Sequence, residues 1–229
     1  MNAKISEIFS SIQGEGQYAG VPQVFVRFWG CNMQCVFCDT PASIGNGKRR
    51  YKTLSLKDVL TQVNALYENA HCVSMTGGEP LLQKDFLKSL CHALHREGKK
   101  IYLDTNGTLP SALKEIIKEI DIIAMDIKLP SSTGQKAFWA EHKEFLKVAL
   151  RKEVFVKSVI SAHTRLGEVL KAAKLVAAVD PEILFILQPN CLDMKKGVVE
   201  DCVRYQKLCA KILKDVRILP QMHKFMKLR

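Results

Sequence analysis

Apolar residues recur along the chain at two spacings. Short runs rich in β-branched and aromatic residues predict strands, and longer stretches with apolar positions three and four apart predict helices. QVFVRFWG, 23–30, is strand-like and stops at a glycine. LSLKDVLTQVNALYENA, 54–70, places Leu56, Val59, Leu60, Val63 and Leu66 at helical spacing. HCVSMTGGEP, 71–80, predicts a strand ending in a glycine turn, and KDFLKSLCHALHREGKK, 84–100, a helix closed by Gly98. Strand and helix then alternate to the end. IYLDTNG, DIIAMDIK, KEVFVKSVI, EILFILQPN and VRILP are the strands. Between them PSALKEIIKEI, QKAFWAEHKEFLKVAL, TRLGEVLKAAKLVAAV and KKGVVEDCVRYQKLCAKILK are the helices.

Repeated βα units with short connections predict an α/β fold, its sheet mostly parallel and its helices outside, either open or curled into part of a barrel. There is no internal repeat, low-complexity segment or linker, so one domain is expected over 1–229. The weakly patterned PASIGNGKRRYKT, 41–53, is expected to be an exposed loop. Function gathers at the C-terminal edge of such sheets. The unusual residues fall there: Cys31, TGGEP, DTNG, DIKLP and QPN each follow a strand.

Composition narrows the class. Of 229 residues, 47% are hydrophobic and 25% charged, ordinary for a globular chain. No apolar run approaches the roughly 18 residues of a membrane span. The start lacks a basic region followed by an apolar stretch, so no signal peptide and a cytoplasmic location are expected. In that reducing compartment clustered cysteines read as metal ligands rather than disulfides. The net charge of +11 suits an anionic partner, or is a solvated basic surface. No stacking aromatics or basic arm accompany it, so a nucleic-acid module is not indicated.

CNMQCVFC, 31–38, sets three cysteines in a CxxxCxxC spacing. Thiolates suit zinc or iron–sulfur clusters. Structural zinc wants a fourth ligand, and Cys72, Cys91, Cys191, Cys202 and Cys209 are scattered. Cys91, Cys202 and Cys209 lie in helix patterns, where packing is the expected role. A cubane held by three thiolates leaves one iron for a ligand.

CxxxCxxC directly after a strand, with Phe37 before the last cysteine and TGGEP one βα unit later, resembles the radical S-adenosylmethionine (SAM) superfamily. SIQGEGQYAGVPQVFVRFWGCNMQCVFCDTP, SMTGGEP, YLDTNGT, MDIKLP, LQPN and PQMHKFMKLR together resemble one family within it, the 7-carboxy-7-deazaguanine synthases. That resemblance implies a partial, open TIM-like barrel of the radical SAM type. It implies conversion of 6-carboxy-5,6,7,8-tetrahydropterin to 7-carboxy-7-deazaguanine with loss of ammonia, on the way to queuosine. A [4Fe–4S] cluster, SAM and Mg²⁺ are the implied cofactors. SAM cleavage would give a radical that takes hydrogen from the pterin. A flavodoxin or ferredoxin as electron donor and a homodimer are also implied. A glycyl-radical activating enzyme shares the cysteine spacing but leaves QGEG and QMHK unexplained.

Carried residue by residue, the resemblance assigns Cys31, Cys35 and Cys38 to the cluster and Thr40 to Mg²⁺. It assigns Phe37, Asp39, Gly78, Asp126, Ile127, Lys128, Gln188, Pro189 and Asn190 to SAM. Ile12, Gln13, Gly14, Glu15, Arg27, Thr76, His223 and Arg229 fall to the pterin. Chemistry leaves alternatives beside several of these. Glu15 suits a pterin edge, or pairs with a lysine. Arg27 lies inside an apolar strand, where it is edge-exposed, aimed at a substrate carboxylate, or paired with a buried acid. Asp126 and Lys128 could form an exposed ion pair worth little. The terminal MKLR departs from the Gly-rich, Pro-ended tail of some family members, so the match is weakest at Arg229. The sequence identifies no residue for the final proton transfer.

Overall fold

The computed structural model describes residues 1–45 and 50–228. Among these, nine strands form one sheet: β1 (Asn2–Ile12), β2 (Pro22–Phe28), β3 (Lys52–Ser55), β4 (Cys72–Gly77), β5 (Ile101–Thr105), β6 (Ile122–Asp126), β7 (Glu153–Ile160), β8 (Phe185–Pro189) and β9 (Val216–Ile218). Their order across the sheet is β3-β1-β2-β4-β5-β6-β7-β8-β9. From β2 to β9 all pairing is parallel, while β1 runs antiparallel to β2 and β3. The parallel strands are joined through α1 (Leu56–Leu66), α2 (Lys84–Arg96), α3 (Pro110–Ile116), α4 (Pro130–Thr133), α5 (Trp139–Ala149), α6 (Leu166–Ala177) and α7 (Val198–Cys209). A short α8 (Met222–Phe225) follows β9. With β3 and β9 as its two edges, this is an open, TIM-like barrel.

Three local readings change. The helix expected over 54–70 starts at Leu56, because Ser55 and Asp58 close a capping box there. The residues before it, Lys52–Ser55, pair with β1 instead. The loop expected over 41–53 is therefore shorter, with a single 3₁₀ turn at Pro41–Ser43 and Ser43 buried. Strand β1 was not legible in the apolar pattern. Its two-residue alternation is interrupted by a bulge between Ile5 and Glu7, so Ile5 and Ile8 face the same core at odd spacing.

Strand alternation sorts side chains between the two faces of the sheet. Val73, Met75, Ile101, Leu103, Ile123, Met125, Val156, Phe185 and Leu187 pack outward into the main core under the helices. Phe86, Leu87, Leu90, Cys91 and Leu94 of α2 meet them there. Cys91, Cys202 and Cys209 are buried in that core, the packing role expected of them. The inner face has two tiers. Low in the barrel, Cys72, Tyr102, Ile122, Ala124, Phe155, Leu184 and Ile186 form a second apolar cluster. Tyr18 seals it, its ring edge-on to Tyr102 at 6.0 Å and its hydroxyl donating to Glu153 Oε1 at 2.5 Å. Further along each strand the inner positions turn polar: four residues on at Thr76 of β4, and two residues on at Asp104 of β5, Asp126 of β6, Lys157 of β7 and Gln188 of β8. Asp126 stands opposite Lys157, while Asp104 stands opposite Ala124 and Lys157 opposite Ile186, so the polar tier steps across the sheet toward its C-terminal edge.

Candidate active site

The cysteine segment leaves β2 and folds back over this polar tier. Its ends are pinned by Gly30 N to Ser43 O (2.8 Å) and Cys31 N to Ile44 O (2.9 Å). Its far side is held by Val36 N to the Thr133 carbonyl of α4 (3.1 Å). Asn32 donates to Thr108 Oγ1 and accepts from Asn106 Nδ2, each at 2.8 Å. Cys31, Cys35 and Cys38 are thereby brought to the wall of one cavity. Burial pushes the Cys31 thiol up to about 11 and raises that of Cys35. Metal binding must therefore release protons. Among the described residues, the trio of His, Cys, Asp and Glu ligand atoms that all lie within 4.8 Å of one another is that of Glu15, Asp39 and His223, so the three sulfurs are spread wider than this. One tetrahedral zinc, with Zn–S near 2.3 Å, would need the sulfurs closer than that. The wider spread fits a multi-iron cluster.

The TGGEP turn stitches this loop to β4. A Cβ on Gly77, whose φ is +132°, would lie 2.1 Å from the Phe28 carbonyl oxygen, and one on Gly78 2.1 Å from that of Gly30. Gly78 N donates to Phe28 O (3.0 Å) and Glu79 N to Gly30 O (2.8 Å). The glycines admit this close approach to the Phe28 and Gly30 backbone, where the cysteine segment leaves β2. The Glu79 carboxylate, fully buried, accepts from Thr105 Oγ1 (2.9 Å), Asn106 N (2.8 Å) and Leu81 N (3.1 Å). Burial pushes its pKa up to about 7 against those three donors. It ties the β4 and β5 turns together beneath the cysteines.

The same cavity meets the polar tier. Lys157 is buried between two acids, bonded to Glu15 Oε2 and 3.3 Å from Asp104 Oδ1. Burial lowers the affinity of its amine for a proton, but the two carboxylates more than offset this and raise its pKa well above normal. Burial likewise pushes Glu15 up, and Lys157 overcomes it to hold that carboxyl below the usual range. Asp104 is raised by burial, with Lys157 only partly opposing, and Thr76 donates to it at 3.3 Å. Lys128 bonds Asp126 Oδ2 at 2.7 Å, both largely buried rather than exposed. That leaves Asp126 Oδ1 and Gln188 Oε1 as buried acceptors without a partner. Unmet acceptors at a cavity wall mark where a ligand's donors would sit.

At the mouth, the C-terminal segment lies on the IQGEG loop. Met222 N donates to Gly14 O (2.8 Å) and Gln221 Nε2 to Glu15 Oε1 (2.7 Å). His223 Nε2 and Lys224 Nζ stand 3.8 and 3.6 Å from Asp39 Oδ2. A Cβ on Gly14 would fall 1.9 Å from His223 Nδ1 and 2.7 Å from its Cβ, so only a glycine admits this contact. Gly14→Ala is expected to lift the tail and cut kcat/KM by ~10- to ~100-fold, the scale of a 1 Å misplacement. Faster protease cleavage at Lys224, beside unchanged cleavage elsewhere, is the check.

The structure gathers most of the predicted residues at this one cavity. Ile12, Gln13, Gly14 and Glu15, Arg27, the three cysteines with Phe37, Asp39 and Thr40, Thr76 and Gly78, Asp126 and Lys128, Gln188 and Asn190, and His223 all line it. Gln13 is committed within its loop, accepting from Glu15 N and donating to Gln23. Thr40 precedes the 3₁₀ turn, but its hydroxyl makes no capping bond. Two of the predicted residues are not among those lining the cavity. Ile127 is buried among the apolar residues on the helix side, and its N–H and C=O are taken by Lys157 O and Ser158 Oγ. Pro189 likewise alternates away from the cavity between Gln188 and Asn190. Arg229 lies outside the described residues. Lys157 lines the cavity without having been singled out, as do Asp104, Asn106 and Gln221, whose DTNG and PQMHKFMKLR stretches were marked but given no role at these positions. The available signal was a lysine or aspartate in phase with inward residues of an apolar strand, as in FVKSV and YLDT.

Residues 27–176 match the Radical SAM superfamily. The chain is similar to the 7-carboxy-7-deazaguanine synthase of Geobacter sulfurreducens, 38% identical over 98% of this chain and 97% of that one. To the synthase of the same name from Archaeoglobus fulgidus it is 35% identical across the full length of both. In fold it is similar to the crystal structure of QueE from Escherichia coli, with a TM-score of 0.67, 23% identity, and coverage of 97% of this chain and 95% of that one.

Proposed function

Because the chain belongs to the 7-carboxy-7-deazaguanine synthase family of the radical SAM superfamily, we propose that it converts 6-carboxy-5,6,7,8-tetrahydropterin to 7-carboxy-7-deazaguanine with release of ammonia. The observation that carries this reading is one cavity walled by three half-buried thiols, two unpartnered buried acceptors and an arginine. Cys31, Cys35 and Cys38 would hold a [4Fe–4S] cluster. Asp126 Oδ1 and Gln188 Oε1 would accept from the hydroxyl or amino groups of SAM, with Phe37, Asp39, Gly78, Lys128 and Asn190 around it. Bound there, the cluster and SAM supply one-electron chemistry that generates a hydrogen-abstracting radical.

The chain's own residues bind and orient the pterin. Glu15, held ionised by Lys157, accepts from its N–H edge, and Arg27 meets the carboxylate. Asp104, its carboxyl raised by burial, is the group able to take and return a proton at Oδ2. Thr40, free of a capping bond, offers a hydroxyl to Mg²⁺, which needs few protein ligands when substrate oxygens complete its shell. An acidic one-electron carrier of the flavodoxin or ferredoxin type suits the net charge of +11. We place the enzyme in a reducing cytoplasm, where its eight free cysteines persist. No helix among the described residues is long and apolar enough to cross a membrane. A homodimer is favoured by exposed Phe225 and Met226 at the end of α8.

The test is anaerobic reconstitution with iron and sulfide, followed by SAM, reductant, Mg²⁺ and the carboxypterin. Formation of the deazaguanine, with one ammonia per product, is expected, and omission of Mg²⁺ is expected to slow it. SAM cleavage without pterin turnover would move the chain to another radical SAM substrate, of which a glycyl-radical protein is the alternative.

A further inference from the structure

The bulge in β1 has a directional effect. Upstream, Ile5 stands opposite Phe28; downstream, Glu7 stands opposite Arg27, with Ser6 as the extra residue. Under strict alternation Glu7 would share a face with Ile5 and enter the apolar core. The added residue reverses the phase, so Ile8 joins that core while Glu7 and Phe9 turn to the cavity side. Bulges commonly re-aim side chains beside functional sites. This one has a cost, since the Ser6 hydroxyl is buried without a partner.

What the phase change brings about is a fixed arginine. Arg27 Nε donates to Glu7 Oε1 at 2.7 Å. The guanidinium carbon sits 5.5 Å from the Phe9 ring centre, and Phe9 is itself stacked on Phe25 at 5.0 Å and 11°. One edge and one face of the guanidinium are thus occupied. Among the described residues its two terminal nitrogens carry no hydrogen bond or ion pair, and Arg27 stands on the cavity wall, so they keep the fork that matches a carboxylate. Glu7 itself is not part of that wall.

We propose that Glu7 is a positioning residue that acts through Arg27, fixing the guanidinium by Nε so that its terminal fork receives the carboxylate of the substrate. This rests on the proposed pterin reading. It makes Glu7 a determinant of selectivity for carboxylated over uncarboxylated pterins, although it touches neither.

The reconstituted holoenzyme carrying Glu7→Ala, Glu7→Gln, Arg27→Lys or Glu7→Ala with Arg27→Lys tests this. Readouts are KM and kcat for the carboxypterin, and binding of tetrahydropterin lacking the 6-carboxylate. Glu7→Ala is expected to raise KM by ~10-fold, the scale seen when an orienting partner behind a ligand-contacting group is removed. The loss falls on KM rather than kcat, and binding of the uncarboxylated pterin stays unchanged. Glu7→Gln, which keeps the acceptor oxygen, recovers much of the affinity. The double variant is no weaker than Arg27→Lys alone. Equal losses for both pterins, a fall confined to kcat, or additive effects would overturn the positioning role and reduce Glu7 to a structural residue. A wild-type enzyme that does not distinguish the two pterins would instead remove the carboxylate reading of Arg27, and this inference with it.

Discussion

Lys157→Met is expected to lower the unfolding free energy by about 3–5 kcal/mol, the cost of breaking a buried ion pair by removing one partner. Against the roughly 5–15 kcal/mol that holds such a domain together, that is a large fraction. Methionine fills the volume of the lysine stem, so the loss is electrostatic. Glu15 and Asp104, both paired with the ammonium now, would face one another at the cavity wall without a counter-charge. The sign of the pH dependence identifies the cause. With Lys157 present, Glu15 is held below its ordinary range, and the stability it contributes is lost as pH falls through that lowered value. Without the lysine both carboxyls are expected above their unfolded values. Their destabilisation is then absent in acid and grows as pH rises through neutrality. Urea unfolding of the metal-free protein at about pH 5 and pH 8 should show the deficit shrinking at the lower value. A uniform deficit at both would point to packing rather than charge.

Cys35→Ala is expected to reduce turnover by ~10³-fold or more, the scale of removing a member of a catalytic unit. Iron content and the visible absorption of the reconstituted protein should fall with it. The metal-free fold should not, because Cys35 is half-buried and makes no side-chain bond that the loop relies on. Cys91 provides the contrast. It is fully buried in α2 among Leu87, Leu90 and Leu94. Cys91→Ser places a hydroxyl in that apolar setting at a cost of about 1–3 kcal/mol. It should leave cluster and turnover intact. If Cys35→Ala kept its iron, the three-thiolate account of the 31–38 loop would fail.

Much of the architecture was written in local pattern. Period-two and period-3.6 runs marked β4 to β9 and the larger helices, since facing and burial repeat with the geometry of each element. CxxxCxxC marked the cysteine loop for a related reason: three ligands within eight residues can converge through short-range backbone geometry alone. TGGEP was legible as a special turn, but the reason for its glycines was not, because the atoms they make room for belong to Phe28 and Gly30.

What only the tertiary structure decided joins residues far apart in the chain. Glu15 meets Lys157 and Gln221 across separations of 142 and 206 residues, and no local spacing records that. Strand β1 escaped the periodicity reading because its bulge breaks the alternation such a reading depends on, and the same bulge sets Glu7 against Arg27. The sequence by itself determined the parallel strands, the larger helices and where thiols would cluster, because those follow from the nearest neighbours along the chain. Which charges would be neutralised, and which acceptors left for a ligand, depended on the strands β4 to β8 bringing their inner polar positions to one cavity, and on the C-terminal segment closing over it.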